Sequence, residues 1–204
     1  MSRKVKIAVL VSGGGTNLQA IIDYVKAGKL NNGELVKVIS SKEGAFALER
    51  AKKADIPGVV VAKKGKTQTE FENEILKELA DCKAEVIVLA GFMCILSKDF
   101  TDRYVDRIIN VHPALIPSFC GEGYYGLRVH EKALEYGVKV TGATVHFVNE
   151  IADGGRIIMQ KAVNVKDGDT PEILQKRVME QAEWKILPAS LKKVCKMVLK
   201  GEIK

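Results

Sequence analysis

Apolar positions recur along the chain with two different spacings. Short apolar runs such as residues 85–90 (EVIVLA) have the length of strands that are covered on both faces of a sheet. Between these runs, apolar residues return every three or four positions, as Leu18, Ile21, Ile22 and Val25 do, which predicts helices with one buried side. The predicted strands cover residues 5–11, 34–40, 58–62, 85–90, 107–111, 141–148 and 157–165, and the predicted helices cover 17–27, 45–54, 67–82, 130–136 and the chain from 170 to its end.

The alternation of strands and helices predicts an α/β fold with a doubly wound, mostly parallel sheet and helices on both faces. No linker, repeat or low-complexity segment divides the chain, so we expect residues 1–204 to form a single domain. Ligands of such sheets bind beyond the carboxyl ends of the strands. We expect three unusual segments, described below, to lie at that edge.

The composition indicates an ordinary folded protein, with 47% hydrophobic and 28% charged residues. No apolar run reaches the roughly 18 residues needed to cross a bilayer. The apolar stretch 7–11 is too short for a secretion signal and leads directly into glycines. We therefore expect a cytoplasmic protein without a membrane partner.

Cysteines, histidines and charges exclude two classes of site. The four cysteines show no CxxC spacing and the three histidines lie far apart, which predicts reduced thiols and no metal site. The net charge is +7, but acids are interspersed among the basic residues and no arginine-rich arm is present. This distribution favours small polyanionic ligands over nucleic acid.

The first unusual segment is the glycine-rich turn 12–17 (SGGGTN), between the first predicted strand and helix. Glycines let a ligand approach the backbone closely, and a helix start offers free N–H groups to an anion. The alternative is a simple tight turn in which Thr16 or Asn17 caps the helix. Leu18 replaces the third glycine of a dinucleotide motif, and no GK[ST] follows, so a single phosphate is the expected ligand.

The second segment places an amide and an imidazole at the end of a predicted strand. Asn110 and His112 are two residues apart, so their side chains point to the same side of the strand, and Pro113 and Pro117 then end it. Both side chains can donate hydrogen bonds to a carbonyl oxygen that gains negative charge during acyl transfer. Taken alone, such a pair is more often structural.

The third segment contains Asp153, followed by Gly154 and Gly155. An aspartate before glycine is commonly a turn residue. In the functional interpretation Asp153 faces His112, raises its pKa and keeps it protonated as a general acid. For His146, within a predicted strand, we expect a structural role.

The motifs SGGGTNLQAI, SSKEGAFALERA, VLAGFMCILS, INVHPALIP, GATVHFV and DGG occur in this order over residues 7 to about 188. The ordered set resembles the phosphoribosylglycinamide formyltransferase family. The resemblance implies a Rossmann-like formyltransferase fold. It also implies transfer of the formyl group of 10-formyltetrahydrofolate to the glycine amine of 5'-phosphoribosylglycinamide in de novo purine synthesis, without a metal.

The resemblance assigns residues to three roles. Asn110, His112 and Asp153 correspond to the catalytic residues, with His112 as proton donor. Glu183, whose alignment requires a one-residue gap, corresponds to a glutamate that contacts the nucleotide substrate. The other implied substrate-binding residues are Gly15, Thr16 and Asn17, and the implied folate-binding residues are Gln68, Met93, Cys94, Ile95, Leu96, Asn110, Asn149, Glu150, Ile151 and Ala152.

The sequence also departs from the family pattern. Cys94 stands where many relatives have arginine, and Gln68 lies near the usual position of a basic residue that meets the folate glutamate tail. The lysines at 63, 64 and 66 are candidate substitutes. The segment 118–126 is longer than in many members and is expected to reshape the folate mouth or cover the site.

Two other functions fit parts of the pattern. A formyltetrahydrofolate deformylase would use the same donor, but usually has an extra domain ahead of the catalytic one, whereas this chain starts at the first strand. A non-catalytic nucleotide-binding module would keep the glycine turn without needing Asn110, His112 and Asp153 together. Methionyl-tRNA formyltransferases add a C-terminal β-barrel that we do not expect here. The expected partners are small-molecule substrates, with the chain acting as a monomer or homodimer.

Overall fold

The strands of the computed structural model, which describes residues 3–203, form one seven-stranded sheet. The strand at residues 5–11 is buried except at Lys6, as expected for a strand that is covered on both faces of a sheet. The strands are β1 (Val5–Val11), β2 (Gly33–Ser40), β3 (Gly58–Val60), β4 (Val86–Leu89), β5 (Ile108–His112), β6 (Val140–Phe147) and β7 (Ile157–Asn164).

The strand order is β3-β2-β1-β4-β5-β6-β7. The strands from β3 to β5 pair in parallel, whereas β6 is antiparallel to both of its neighbours. The sheet is thus mostly parallel and winds outward in both directions from β1. The predicted fold class is confirmed.

Helices cover both faces of this sheet. Thr67 and Glu70 form a reciprocal capping box at the start of α3, which explains why that helix begins where the sequence predicts. The helices are α1 (Thr16–Lys26), α2 (Phe46–Lys52), α3 (Gln68–Asp81), α4 (Lys98–Thr101), α5 (Leu127–Tyr136), α6 (Pro171–Val178) and α7 (Trp184–Lys200).

The core has two layers, which follow the alternation of side chains along β1. Val9 and its odd-numbered neighbours pack with Leu18 of α1 and Leu191 of α7 on one face. Ala8 and Leu10 pack with α3 and α4 on the other face. This arrangement leaves the carboxyl ends of β1, β4 and β5 side by side, where the glycine turn and His112 lie.

The last predicted helix is divided in the structure. A π-helical turn, Met179–Glu183, separates α6 from α7. Such a turn adds a residue to the helix without changing the apolar pattern enough to be seen in the sequence. Its consequence is a change in direction of the Glu183 side chain, which then reaches the first turn of α1.

Smaller differences concern element ends. α5 begins at Leu127, three residues before the predicted start, after Gly126 at positive φ. The sequence pattern also missed α4, because four residues are too few to show a helical period. In the described part of the chain, no helix is long and apolar enough to cross a membrane.

Candidate active site

The three glycines of the turn between β1 and α1 have two different roles. Gly15 has φ of 71°, and an added Cβ would lie 2.6 Å from the Cβ of Ala47 in α2. Glycine is therefore required there by conformation and by packing. Gly13 and Gly14 have no atom within 4 Å of an added Cβ. Nothing in the fold requires glycine at those two positions, which leaves the backbone open to a ligand.

The structure does not support the alternative in which Thr16 or Asn17 caps the helix. Over the described residues, α1 has no side-chain hydrogen bond at its N-cap and no acidic residue in its first turn. Thr16 instead directs its hydroxyl to the sulfur of Met179, at 3.9 Å. The positive end of the α1 dipole is consequently available to an anion.

Asn17 and Glu183, which are far apart in sequence, meet beside the glycine turn. The Asn17 amide donates to Oε2 of Glu183 at 2.7 Å, and both residues are buried. The Asn17 Oδ1 atom is buried without a partner in the described chain. Burial raises the pKa of Glu183 to about 7, although the Asn17 hydrogen bond opposes this. The structure thus brings together the substrate-binding residues of the resemblance, leaving one polar atom unpaired.

The candidate catalytic residues converge at the end of β5. Asn110 and His112 project from the same side of the strand, and His112 is its last residue. Nδ1 of His112 lies 3.3 Å from Oδ2 of Asp153, and the His112 side chain is 4% exposed. The predicted proximity of residues 110, 112 and 153 is therefore present in the fold.

Asp153 reaches this position by a route that the sequence did not indicate. Since β6 is antiparallel to β5, its end at Phe147 lies beside Ile109, and not at the carboxyl edge of the sheet. The following turn returns to His112, with Asp153 at φ of 56°. The third segment thus leaves β6 at the opposite edge, but its turn carries Asp153 to the carboxyl end of β5, where the other two segments lie.

The net pKa shift of His112 is opposite in direction to the expectation. Burial lowers the pKa of His112 below its ordinary value, although the Asp153 carboxylate and the Phe119 carbonyl raise it. Asp153 thus acts in the expected direction but does not outweigh desolvation. Both ring nitrogens face acceptor oxygens, so a protonated ring satisfies two neighbours and a neutral ring only one. The prediction of a net raised pKa is therefore wrong for this conformation.

Asp153 is ionised at neutral pH. Burial raises its pKa, but the neighbouring His146 and His112 rings and the Gly121 N–H together lower it by more, so that the net shift is downward. The Gly121 N–H donates to Oδ2 at 2.9 Å. A fixed carboxylate next to the imidazole is suited to stabilise positive charge on His112 during a proton transfer.

His146 belongs to the site, although the sequence suggested only a structural role. It lies opposite Asn110 in the β5–β6 register. Its Nε2 atom is 3.2 Å from the Asn110 amide and 3.5 Å from Oδ1 of Asp153. The signal that could have identified it was the position of Thr144 and His146 on one side of β6, which is informative only once the pairing with β5 is known.

The segment 118–126 covers the candidate catalytic residues. The carbonyl of Phe119 accepts from Nε2 of His112 at 2.8 Å, and the Gly121 N–H binds Asp153. Phe119 itself has φ of 49°, and its ring packs against Tyr124 and Tyr136. In this conformation the segment occupies Nε2 of His112 and Oδ2 of Asp153, two of the atoms that the sequence analysis expected to act in acyl transfer.

The segment between β4 and α4 presents an apolar wall beside the glycine turn. Met93 and Ile95 are 50% and 61% exposed, whereas Leu96 is buried in the core and Cys94 packs partly against it. Only the first two side chains thus face outward from this segment. The Met93 N–H donates to the Ser12 hydroxyl at 2.9 Å, a link between the two segments that the sequence did not suggest.

Gln68 holds this wall in place. Its amide nitrogen donates to Glu72 at 2.6 Å and to the carbonyl of Ile95 at 2.9 Å. Glu72 in turn accepts from the backbone N–H of Ser97 at 2.6 Å. The Gln68 side chain is therefore engaged within the protein in this conformation.

The remaining candidate folate-binding residues lie in the turn after β6. Asn149 accepts from the N–H of Ile151 at 3.1 Å, which closes the turn locally. Ile151 is 63% exposed and Glu150 is exposed, while Ala152 is half-buried. The turn offers one exposed apolar side chain on the approach to Asp153.

The described residues contain no candidate metal site. No group of three or more histidine, cysteine, aspartate or glutamate side chains there could hold an ion. The cysteines at 82, 94, 120 and 195 are free thiols.

Comparison with known proteins identifies the family. A model of the formyl transferase family matches residues 5–191. The chain belongs to the formyl transferase family. The resemblance seen in the ordered motifs is thereby confirmed, and membership implies a folate-type one-carbon donor and small-molecule substrates.

Two solved structures are similar to this chain in both fold and sequence. A glycinamide ribonucleotide transformylase from Symbiobacterium toebii superposes with a TM-score of 0.89 at 36% identity, over 96% of this chain and 90% of the other. A phosphoribosylglycinamide formyltransferase from Brucella melitensis gives a TM-score of 0.85 at 38% identity, over 95% and 96% of the two chains.

Two curated relatives of this chain differ greatly in length. The phosphoribosylglycinamide formyltransferase of Haemophilus influenzae is 42% identical over 92% of this chain and 85% of its own length. The trifunctional purine biosynthetic protein adenosine-3 of Gallus gallus is 46% identical over 95% of this chain. The chain spans only 19% of the length of that larger relative.

Proposed function

We propose that this chain transfers the formyl group of 10-formyltetrahydrofolate to the glycine amine of 5'-phosphoribosylglycinamide. The products are formylglycinamide ribonucleotide and tetrahydrofolate, as in de novo purine synthesis. The observation that carries the proposal is the meeting of Asn110, His112 and Asp153 at the end of β5. Membership of the formyl transferase family supports it, and the names of the relatives favour a transferase over a hydrolase.

The chemical step begins when the substrate amine attacks the formyl carbon. The carbonyl oxygen gains negative charge as the tetrahedral centre forms, and hydrogen-bond donors aimed at that oxygen stabilise it. Asn110 supplies an amide N–H and His112 supplies an imidazole N–H. In this role Nε2 of His112 must exchange the Phe119 carbonyl for the substrate, so the segment 118–126 has to move.

Asp153 supports His112 during the proton transfers. Its carboxylate lies beside Nδ1 of His112 and stabilises the ring in the charged state. As the bond from the formyl carbon to the folate nitrogen breaks, His112 donates a proton to that nitrogen and is reprotonated by the proton that the attacking amine releases. Because the nucleophile is an amine and not water, the proposed reaction calls for no metal.

The glycine turn holds the phosphate of the nucleotide substrate. The backbone at Gly13 and Gly14 is open, and the uncapped start of α1 favours an anion. Gly15, Thr16 and Asn17 then contribute the N–H groups of the first turn. Glu183 is placed beside this turn to contact the substrate, and its buried carboxyl group can accept or donate at neutral pH.

The folate pterin lies against the apolar wall formed by Met93 and Ile95, with Ile151 on the opposite side. Cys94 and Leu96 contribute through their backbone, since their side chains turn toward the core. Gln68 supports the wall through its hydrogen bond to the Ile95 carbonyl and belongs to the proposed folate site. The lysines at 63, 64 and 66 are the basic groups closest in sequence to the expected glutamate tail.

The proposal extends to the form in which the enzyme works. Residues 1–204 act as one catalytic domain in the cytoplasm, as a monomer or a homodimer. The substrates are small molecules, and no nucleic acid or membrane takes part.

An absorbance assay with a 10-formyl folate, run with and without 5'-phosphoribosylglycinamide, tests the function. We expect conversion of the folate only when the phosphorylated glycinamide is present. Release of formate without that amine would identify a deformylase. No turnover of any folate would identify a non-catalytic nucleotide-binding module. Either result contradicts the proposal.

A further inference from the structure

A groove of about 500 Å³ lies on the outer side of α1, apart from the catalytic residues. Its walls come from α1, from Arg50 of α2 and from Trp184 at the start of α7. It touches the glycine turn only through Thr16, and none of the three candidate catalytic residues lines it. Apart from Thr16, no residue that the proposed formyl transfer uses lines this groove.

Two aromatic side chains line the groove, namely Tyr24 and Trp184. The indole N–H of Trp184 is buried and has no hydrogen-bond partner among the described residues. That nitrogen is inaccessible from the groove, so only the ring faces are available to a ligand. Flat aromatic faces suit stacking by a heteroaromatic base.

Two cationic side chains line the same groove. Arg50 donates from Nε to the carbonyl of Gly14 at 2.8 Å and from Nη1 to Gln19 at 3.1 Å. Its guanidinium group also lies over the ring of Phe46, 5.0 Å from the ring centroid. The ammonium group of Lys29 lies 5.9 Å from the ring centroid of Tyr24. A guanidinium fixed in this way and a nearby ammonium group are suited to a phosphate.

One acidic side chain, Asp23, also lines the groove and accepts from Gln19 at 2.9 Å. A carboxylate repels a bare inorganic anion but accepts hydrogen bonds from the hydroxyl groups of a ribose. The groove thus combines features for a base, a sugar and a phosphate, and its volume falls in the range of small-molecule sites. The net charge of +7 adds a general attraction for anions.

We infer that this groove is a second ligand site, which binds a nucleoside phosphate independently of the substrate site. The inference goes beyond the proposed formyl transfer and does not depend on it. Arg50 connects the groove to the glycine turn through its hydrogen bond to Gly14.

Equilibrium dialysis of the full-length chain with AMP as the probe tests the inference directly. We expect saturable binding of one AMP per chain, which persists when 5'-phosphoribosylglycinamide is present at saturating concentration. Adenosine and inorganic phosphate should each bind at least about tenfold more weakly, since each lacks part of the recognised chemistry. Trp184 is the only tryptophan of the chain, so its fluorescence should change with the same saturation curve.

Two lysine variants locate the site. Lys29→Ala should weaken AMP binding about tenfold, because a charge-assisted contact to phosphate is lost. Lys26→Ala removes an exposed lysine at the end of α1 that does not line the groove, and should leave AMP binding within about twofold. Neither substitution touches the candidate catalytic residues, so formyl transfer without AMP should be unchanged in both.

Three results would overturn the inference. The first is no saturable AMP binding by dialysis, and the second is loss of AMP binding when the phosphorylated glycinamide is added. The third is unchanged AMP affinity in Lys29→Ala. Failure of the formyl-transfer assay alone would leave AMP binding in place, so the two proposals fail separately.

Discussion

The side-chain amide of Asn110 lies 3.2 Å from Nε2 of His146, on the neighbouring antiparallel strand. Nδ1 of His146 meets the carbonyl of Phe147 at 2.8 Å. A carbonyl only accepts, so Nδ1 carries a proton. In the tautomer with that single ring proton, Nε2 accepts from the Asn110 amide. The amide is thereby held in one orientation, with its second N–H left for a substrate oxygen.

We expect His146 to be a positioning residue for Asn110. His146→Ala should lower kcat about tenfold, the value of one orienting hydrogen bond, while both KM values stay within about twofold. His146→Gln keeps an acceptor on a flexible side chain and should recover part of the loss. Steady-state kinetics with each substrate varied measures the split. A rise in KM without a fall in kcat, or equal losses in both variants, contradicts this role.

His112 and Asp153 should be essential to turnover but not to folding. His112→Ala and Asp153→Asn should each lower kcat at least about a hundredfold, the usual effect of removing a donor at a developing oxyanion or the group that supports it. Asparagine tolerates the positive φ of residue 153, so the second change is conservative for the backbone.

The matched control for the aspartate is Asp167, an exposed residue that also precedes a glycine. Asp167→Asn should retain wild-type turnover, and circular dichroism should show all three variants folded. Near wild-type rates in both His112→Ala and Asp153→Asn would exclude the proposed catalytic scheme.

The pKa of His112 gives a third prediction. Burial lowers this pKa and Asp153 raises it, so removing the carboxylate should lower the pKa further. An NMR titration of the His112 ring protons should give a pKa below 6.5 in the wild type and a still lower value in Asp153→Asn. An upward shift in the variant would mean that the carboxylate does not act on the ring.

The sequence predicted the pairing of Asn110 and His112 because side chains repeat every two residues on a strand. It could not predict how Asp153 reaches them, since that depends on the antiparallel direction of β6 and on a turn at positive φ. The role of His146 was missed for the same reason. A residue's neighbour across a sheet follows from the pairing register, which is not a local property of the sequence.

The helical segments, too, were predicted only in part from the sequence. Apolar spacing indicated the helical region after residue 170, but not the π turn that directs Glu183 toward Asn17. In the glycine turn, the sequence showed three consecutive glycines, but it did not show that the contact with Ala47 requires glycine at position 15. The sequence pattern shows which residues can form a site, whereas long-range packing determines where their side chains point.

His130 predicts how stability depends on pH. It is completely buried in α5, and both ring nitrogens lack a partner among the described residues. Burial lowers its pKa to about 4, with a smaller contribution from His112. The unfolded chain therefore binds a proton at higher pH than the folded one, and stability is lost as the pH falls below about 6.5.

The substitution His130→Leu isolates this effect. Between pH 7.5 and pH 5 the wild type should lose about 2 kcal/mol more free energy of unfolding than the variant. Urea unfolding of both proteins at the two pH values measures the difference. Taking the difference between the proteins cancels the other titrating groups, including Glu183, whose raised pKa has the opposite effect. Equal pH dependence in both proteins would contradict a neutral, buried His130.

Two adjacent glycines separate the folding role of the turn from its binding role. Gly15→Ala should destabilise the protein by about 1–3 kcal/mol, because alanine is strained at positive φ and its Cβ would overlap Ala47. Gly14→Ala meets no atom within 4 Å and should leave the free energy of unfolding within about 0.5 kcal/mol. If the turn holds the substrate phosphate, the added methyl group of Gly14→Ala should still raise KM for 5'-phosphoribosylglycinamide at least about fivefold and leave KM for the folate unchanged. Unaltered KM values in a stable Gly14→Ala protein would place the phosphate elsewhere, because the open backbone at this position is the feature that makes the turn suitable for a phosphate.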